Sequence, residues 1–274
     1  MPLFTVDPEK CKRDGICVSE CPVRVIEIKG EKGVPQPIEG AEEYCINCGH
    51  CVAVCPHGAL ALNTMKPEQC APVRRRYLPD FDRVDHFLRC RRSIRTYKEE
   101  PVDRETLTKL VETARYAPSG HNLQPVHWLV IERKEDVHRL GGIIVDWLRL
   151  MIQKQPQIAE SLHFDRVVSA WENGLDRILR GAPHLIVAHG SPAVRLAQSA
   201  CIIALSYLEL AAFAAGLGAC WAGYFTTAAS SYEPLRKILA LPDGHQTFGA
   251  MMVGHAKYAY HRVPLRNKPN IEWR

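Results

Sequence analysis

The stretch CINCGHCVAVCP, Cys45 to Pro56, decides how the first part of this 274-residue chain folds. Two, two and three residues separate its four cysteines, Cys45, Cys48, Cys51 and Cys55, and a proline follows the last one. Cysteines at this spacing are typical ligands of iron–sulfur clusters. Zinc is the alternative, but it prefers two separated pairs of ligands around a tetrahedral ion. The spacing therefore favours an iron–sulfur cluster.

A second cysteine run lies upstream and lacks one member. In CKRDGICVSECP, Cys11 to Pro22, the cysteines Cys11, Cys17 and Cys21 keep the same spacing, and Asp14 stands where another cysteine is expected. Seven of the eleven cysteines of the chain belong to these two runs. Clustering of this kind favours metal ligation over disulfide bonds.

The two runs resemble those of two-cluster bacterial ferredoxins, over about the first sixty residues. By that resemblance, each cluster takes three ligands from one run and the fourth from the other. The implied ligands of one 4Fe–4S cluster are Cys21, Cys45, Cys48 and Cys51. The implied ligands of the other are Cys11, Cys17 and Cys55, with Asp14 facing its fourth iron.

Asp14 leaves the composition of that second cluster open. A carboxylate is a harder ligand than a thiolate and binds this iron more weakly. The iron is bound by Asp14, is bound by solvent, or is lost to leave a 3Fe–4S cluster; Asp14 could also be a solvated loop residue. We expect Asp14 to be a ligand because every other member of the run is retained. Cys70 could replace it only if the following segment folded back.

The composition argues against several classes of function. The formal net charge of +5 is small and comes without a long basic tract, so nucleic-acid binding is not expected. The start MPLFTVDPEK lacks the basic and then apolar pattern of a secretory signal. The most apolar segment, Leu196 to Trp221, contains Glu209 near its middle, which favours a buried helix over a membrane span. We therefore expect a cytoplasmic protein.

The chain is predicted to contain two domains of unequal size. Residues 1–65 have short apolar runs between the cysteines, and so small a segment usually needs metal centres to fold stably. Residues 66–85 contain three prolines and an arginine triplet, which is typical of an extended linker. Residues 86–274 are long enough to build a larger core.

The larger domain mixes helices and strands without regular βαβ repetition, so the predicted fold class is α+β. Apolar residues at helical spacing predict helices over Asp103–Tyr116 and Ala197–Ala215. Short apolar runs predict buried strands at Trp128–Glu132, Leu185–Ala188 and Phe248–Val253.

Two motifs of this domain suit a phosphorylated ring ligand. RRSIRTY, Arg91 to Tyr97, groups guanidiniums and a hydroxyl, which suits a phosphate. APSGHNLQPVHW, Ala117 to Trp128, contains a turn and then Asn122 and Gln124, whose amides both donate and accept. That pattern suits the edge of a flavin ring. Taken singly, the first motif is also typical of a basic loop and the second of backbone capping.

In this order and spacing, the motifs resemble those of FMN-dependent nitroreductases, over about residues 86–274. The segments GLGACWAGYF, Gly216 to Phe225, and YHRVPLRNKP, Tyr260 to Pro269, add to the resemblance. It implies a three-layer α/β/α domain that binds FMN. The implied FMN-binding residues are Arg91, Arg92, Ser93, Arg95, Ser119, Asn122, Gln124, Trp221, Ala222, Gly223 and either Arg262 or Arg266.

The resemblance also implies how these residues act. The arginine run and a C-terminal arginine bind the phosphate, Arg92 mainly through its backbone, and Gly223 offers its N–H to flavin N5. No essential acid is assigned, and His121 and Tyr224 are candidates for protonating the substrate. Proteins of this family are typically homodimers that bury the helix predicted at 197–215 and build each FMN site from both subunits, which we expect here.

The joining of iron–sulfur clusters to FMN predicts an electron relay. Clusters carry single electrons, whereas FMN takes one or two. The predicted enzyme receives low-potential electrons from a ferredoxin or a similar donor and reduces a small acceptor such as a nitroaromatic, a quinone or an enone. In one alternative, NAD(P)H reduces the FMN and electrons leave through the clusters. In another, the protein is a redox sensor without turnover.

Overall fold

The computed structural model describes residues 2–30 and 32–274 and separates into two compact units. The first unit comprises the residues up to Pro79 together with Gly120–Leu123. The second comprises Asp80–Ser119 and Gln124–Arg274.

The segment predicted as an extended linker is partly helical. It contains the short 3-10 helices Pro67–Gln69 and Arg75–Tyr77 and the first residues of a helix that runs over Phe81–Cys90. Asp80 begins this last helix, because its carboxylate accepts the N–H of Arg83 at 2.9 Å. The prolines and arginines of the segment concealed this capping signal.

Short strands and single-turn helices build the first unit. Strand β1 (Phe4–Val6) pairs antiparallel with β4 (Leu60–Leu62), and β2 (Ile26–Ile28) pairs antiparallel with β3 (Pro35–Pro37). The helices are α1 (Ile16–Ser19), α2 (Ala41–Tyr44) and α3 (His50–Val54). Apolar side chains of these elements share one small core with buried cysteines of the two runs.

A four-stranded antiparallel sheet in the order β5–β6–β8–β7 lies at the centre of the second unit. Its strands are β5 (His127–Ile131), β6 (His184–Gly190), β7 (Gly218–Trp221) and β8 (Gln246–Gly254). The three predicted strands correspond to β5, β6 and β8. Strand β7 was not predicted, because its four residues lie within a motif rich in glycine and alanine.

Helices lie on both faces of this sheet, with α6, α9 and α10 packed directly against its strands. The α-helices of the described part of this unit are α4 (Phe81–Cys90), α5 (Arg104–Ala114), α6 (Lys134–Lys154), α7 (Pro156–Ser161), α8 (Phe164–Glu172), α9 (Ala197–Ala214), α10 (Gly223–Ser231) and α11 (Glu233–Leu239). Along β6, Leu185 and Val187 join the core that includes α6, whereas Ile186 and Ala188 join the core that includes α9. This alternation is the period of a strand buried on both faces. The predicted α+β class and the α/β/α layering are confirmed.

Helix α9 is the one described helix that is long and apolar enough to cross a membrane, with a mean hydropathy of 1.5. It packs against α5 and against strands β6, β7 and β8 of the sheet. Its apolar character is therefore explained by its place in the core.

The 21-residue helix α6 was not predicted from the sequence. Gly141 and Gly142 interrupt its pattern, and glycine is a poor helix former. A Cβ atom at Gly141 would lie 2.9 Å from the ring of Trp171. The close approach of α6 to α8 explains the first of these glycines.

Two histidines of the second unit, His184 and His189, are buried. The N–H of Val102 donates to Nε2 of His184, so Nδ1–H of this ring donates to the carbonyl of Glu132 and the ring is neutral. Burial, with two further histidines nearby, lowers the pKa of His189 to about 4.

Acidification is expected to destabilise this unit. Since His189 takes up a proton at its ordinary pKa of 6.5 when unfolded but only at about 4 when folded, unfolding becomes easier as the pH falls between these values. The expected loss is up to about 1.4 kcal/mol per pH unit for each such proton. Denaturant titrations across this window measure it. His189→Gln should flatten the dependence and the exposed control His261→Gln should not; equal slopes in all three proteins would contradict the prediction.

Candidate cofactor and active site

Four cysteines line one apolar pocket of the first unit, namely Cys21, Cys45, Cys48 and Cys51. They are the four residues that the resemblance implies for one cluster. Burial raises the pKa of the Cys51 thiol to about 11, and the other three cysteines add to this rise. Ionised thiols in such a pocket need a cation beside them. The donor set therefore fits an iron–sulfur cluster.

The second cysteine set is also brought together. Burial raises the pKa of Cys17, and Cys55 and Cys11 are among the neighbours that contribute. These three residues are the cysteines implied for the other cluster.

The two cysteine runs have the same left-handed backbone conformation at equivalent positions. Gly15 and Gly49 begin α1 and α3 with φ of 72° and 73°, a left-handed conformation that glycine adopts readily. Two residues earlier, Arg13 and Asn47 are also left-handed, with φ of 58° and 49°.

The same equivalence extends to the sulfur atoms and to Asp14. Sγ of Cys21 accepts the N–H of the residue four positions later at 3.4 Å, and Sγ of Cys55 does so at 3.3 Å. Asp14 thus stands in a loop of the same shape as the one that carries Cys48. Its exposed carboxylate accepts the N–H of Ile16 at 3.2 Å.

In the second unit, the RRSIRTY run lies directly against β7. Ser93 forms a parallel bridge with Ala219, and the N–H of Ile94 donates to the carbonyl of Ala219 at 2.9 Å. A Cβ atom at Gly218 would lie 2.7 Å from Ile94, so only glycine permits this approach. The glycine-rich motif and the arginine run are therefore neighbours in space.

Arg91, an implied phosphate ligand, has a carboxylate partner. Its guanidinium lies 2.8 Å from Glu209 of α9, and the two side chains are only 22% and 12% exposed. Glu209 lies within the apolar helix α9. A lone acid in an apolar helix predicts a cationic partner, but nothing in the sequence shows which arginine it is.

A cavity of about 360 Å³ is lined by three of the implied FMN residues, Arg95, Trp221 and Gly223. Tyr224, a candidate for protonating the substrate, lines it too. Gly223 is the first residue of α10, and a Cβ atom there would meet no atom within 4 Å. The first N–H groups of a helix have no acceptor within the helix. These donors, the arginine and the aromatic wall fit the ring and the negative charge of FMN.

Other implied FMN residues lie elsewhere. Ser119 and Gln124 line a different cavity, between α5 and α9, and Oγ of Ser119 accepts the N–H of Gln124 at 2.9 Å. Ala222 is buried, and Arg92 is half-buried. Arg262 and Arg266 are exposed in the segment that follows β8.

The segment Gly120–Leu123 belongs to the first unit, and so does its hydrogen bonding. Nδ2 of Asn122 donates to the carbonyl oxygens of Asn47 at 2.9 Å and Ile46 at 3.4 Å. In the sequence, Ile46 and Asn47 lie between the implied cluster ligands Cys45 and Cys48. His121, Asn122 and Gln124 all have positive φ, of 53°, 52° and 46°, which is costly for residues other than glycine. His121 is exposed.

Comparison with known proteins shows that the chain belongs to the nitroreductase family, whose family model matches residues 88–255. Residues 5–59 match the 4Fe-4S dicluster domain. An NADH dehydrogenase of Thermus thermophilus is 29% identical over 211 residues, which are 72% of this chain and 98% of that protein. A nitroreductase with bound FMN from Desulfitobacterium hafniense has a TM-score of 0.55 and 25% identity, over 68% of this chain and 97% of that one. A 4-nitrobenzoate reductase of a Nocardioides species is 41% identical over 54 residues, or 20% of this chain and 22% of that protein.

The chain is thus an oxidoreductase of the nitroreductase family that carries a 4Fe–4S dicluster domain, as the sequence predicted. Residues 60–87 lie between the two matched segments and belong to neither.

The Arg91–Glu209 pair generates a prediction about stability. Glu209→Gln and Arg91→Gln should each lower the free energy of unfolding by about 1–3 kcal/mol, because each leaves a largely buried charge without its partner. The double variant should lose less than the sum, since no charge then remains alone. Denaturant unfolding of the four proteins measures this coupling. Strictly additive losses would show that the pair does not stabilise the fold.

Proposed function

We propose that the protein carries electrons between two iron–sulfur clusters and one FMN and thereby reduces a small organic acceptor. Clusters supply one-electron transfer, and FMN supplies one- or two-electron transfer. One observation carries most of this proposal. Asn122, from the turn implied to bind flavin, donates to carbonyls of the loop between Cys45 and Cys48. A flavin motif and a cluster motif are therefore joined by hydrogen bonds.

The cluster ligands in this proposal follow from the two cysteine sets. One cluster is bound by Cys21, Cys45, Cys48 and Cys51, and the other by Cys11, Asp14, Cys17 and Cys55. Asp14 is included because its loop has the backbone of the loop that carries Cys48. The fourth iron of that cluster would then have an oxygen ligand.

The cavity beside Gly223 would form one part of the FMN site in the second unit. Arg95 and the first N–H groups of α10 are placed to stabilise negative charge on the ring, since both present positive charge to the cavity. Arg91 has five N–H donors, so it can bind Glu209 and a phosphate together. Tyr224 lines this cavity, so Tyr224 is our candidate for donating a proton to the acceptor.

A second copy of the chain would complete the site. The implied FMN residues divide between two cavities of the second unit, one beside Gly223 and one beside Ser119. Helix α9 also exposes Ile202, Ile203 and Tyr207. We infer a cytoplasmic homodimer in which the partner subunit covers the exposed face of α9. The residues beside Gly223 in one subunit and those beside Ser119 in the other would then form one FMN site.

Two electron donors fit the proposal to different degrees. Clusters ahead of a flavin favour a low-potential one-electron donor such as ferredoxin. The name of the Thermus relative, an NADH dehydrogenase, favours direct reduction by NAD(P)H.

Anaerobic stopped-flow spectroscopy distinguishes these donors. We expect reduced ferredoxin to bleach the flavin absorbance of the holoprotein quickly and NADH or NADPH to bleach it slowly, because a one-electron carrier enters at the clusters. Cys48→Ala should slow the reaction with ferredoxin and leave any reaction with NADH unchanged. Rapid bleaching by NADH in both proteins would support the alternative. A reduced flavin that no nitroaromatic, quinone or enone reoxidises would instead support a sensor.

The role of Asp14 has its own test. Anaerobically purified protein should contain about eight irons per chain, four for each cluster. Asp14→Ala should lower this to about seven and produce an EPR signal in the oxidised state, because a three-iron cluster remains. Asp14→Cys should restore the iron and remove the signal. Equal iron contents in the wild type and Asp14→Ala would contradict ligation by Asp14.

A further inference from the structure

The cavity beside Gly223 carries more positive charge than the flavin motifs supply. Arg95 comes from the RRSIRTY run, whereas Arg177 and Arg180 come from the loop between α8 and β6, which no motif assigned. Among the described residues that line this cavity there is no Asp or Glu. Neighbouring guanidinium groups disfavour one another unless an anion lies between them.

The loop that carries the two additional arginines is held by a single carboxylate. Oδ1 of Asp176 accepts the N–H groups of Ile178 and Leu179 at 2.8 and 2.9 Å. Oδ2 accepts the N–H of Gly181 at 2.9 Å. The carboxylate of Asp176, the acid of this loop, therefore binds the backbone, and Ile178 and Leu179 anchor the loop in the core.

Arg180 is held in an unfavourable backbone conformation. Its φ of 61° is left-handed, which costs a residue other than glycine about 1 kcal/mol or more. Such strain persists where the surroundings fix it, and it often marks a functional position. In this loop, the left-handed conformation of Arg180 determines the direction in which its side chain extends from the backbone.

Arg180 and Arg95 both lie near Cys220, a residue of the cavity lining. Burial raises the pKa of the Cys220 thiol, and these two arginines both oppose the rise. They act in the same direction on Tyr97, whose pKa burial also raises. Both guanidiniums therefore lie near one wall of the cavity, which Cys220 lines.

Much of the remaining lining is aromatic, and aliphatic side chains such as Leu162 and Met252 complete it. Phe164, Trp221 and Tyr224 line the same cavity as the arginines. Aromatic walls favour a flat conjugated ligand, and an arginine fork matches the two oxygens of a carboxylate.

We propose that Arg177 and Arg180 bind the carboxylate of an aromatic acid, and that such acids are the preferred acceptors of this enzyme. The assignment rests on the proposed function, because it names the substrate class of the same site. Arg95 remains with the flavin, and the two loop arginines determine specificity. The FMN phosphate is the other source of an anion, and the test separates the two.

The test uses the anaerobic holoprotein and two matched pairs of probes. The kcat/KM for 4-nitrobenzoate is compared with that for its neutral analogue 4-nitrobenzamide. Calorimetric binding of benzoate is compared with that of benzamide, which requires no turnover. The variants are Arg177→Gln and Arg180→Asn, the second chosen because Asn tolerates a positive φ. The control is Arg195→Gln, since Arg195 is exposed and does not line the cavity.

The wild type should prefer each acid over its amide, and each variant should reduce that preference about tenfold, the usual effect of one charge-assisted hydrogen bond. Arg195→Gln should leave it unchanged. No preference in the wild type, or an equal loss for acid and amide, would overturn the proposal. A fall in bound FMN without a change in preference would assign the arginines to the phosphate and also overturn it. If no nitro compound is reduced but benzoate still binds through both arginines, the proposed function fails and the acid site stands.

Discussion

The first unit depends on buried sulfur that must be ionised to bind iron. Its small core includes Cys17, Cys21 and Cys51 among the apolar side chains, and burial raises the pKa of Cys51 to about 11. Thiols in this setting stay neutral until a metal replaces their protons. With β-strands of only three residues, the unit gains little from its sheets. We infer that binding of the clusters supplies much of its folding free energy.

In the second unit, several arginines lie close to a buried sheet. This sheet is buried on both faces, and the arginine run lies beside β7 at one edge of the sheet. Glu209 neutralises Arg91 there, while the cavity beside Gly223 keeps Arg95, Arg177 and Arg180 without an acid in its lining. Arg91 therefore stabilises the fold and keeps donors for a phosphate, and the three arginines of the cavity have no acid partner in its lining. This division explains why a dense basic run can serve both a core helix and a ligand.

The sequence predicted those features that depend on spacing alone. The two cysteine runs, the apolar strands β5, β6 and β8 and the helix at Ala197–Ala214 are all visible as patterns. Features that depend on contacts between distant segments were missed. Gly141 is required by Trp171, the pairing of Arg91 with Glu209 spans two elements, and Arg180 reaches the cavity only because Asp176 orders its loop. The contact of Asn122 with Asn47 likewise has no signal in either motif.

In the proposed function, the clusters and the flavin exchange electrons within this protein. Freeze-quench EPR of fully reduced holoprotein, mixed anaerobically with a nitroaromatic acceptor, tests it directly. We expect the signals of the reduced clusters to disappear during the same turnover in which the flavin is reoxidised. Clusters that stay reduced while the flavin turns over repeatedly would contradict it.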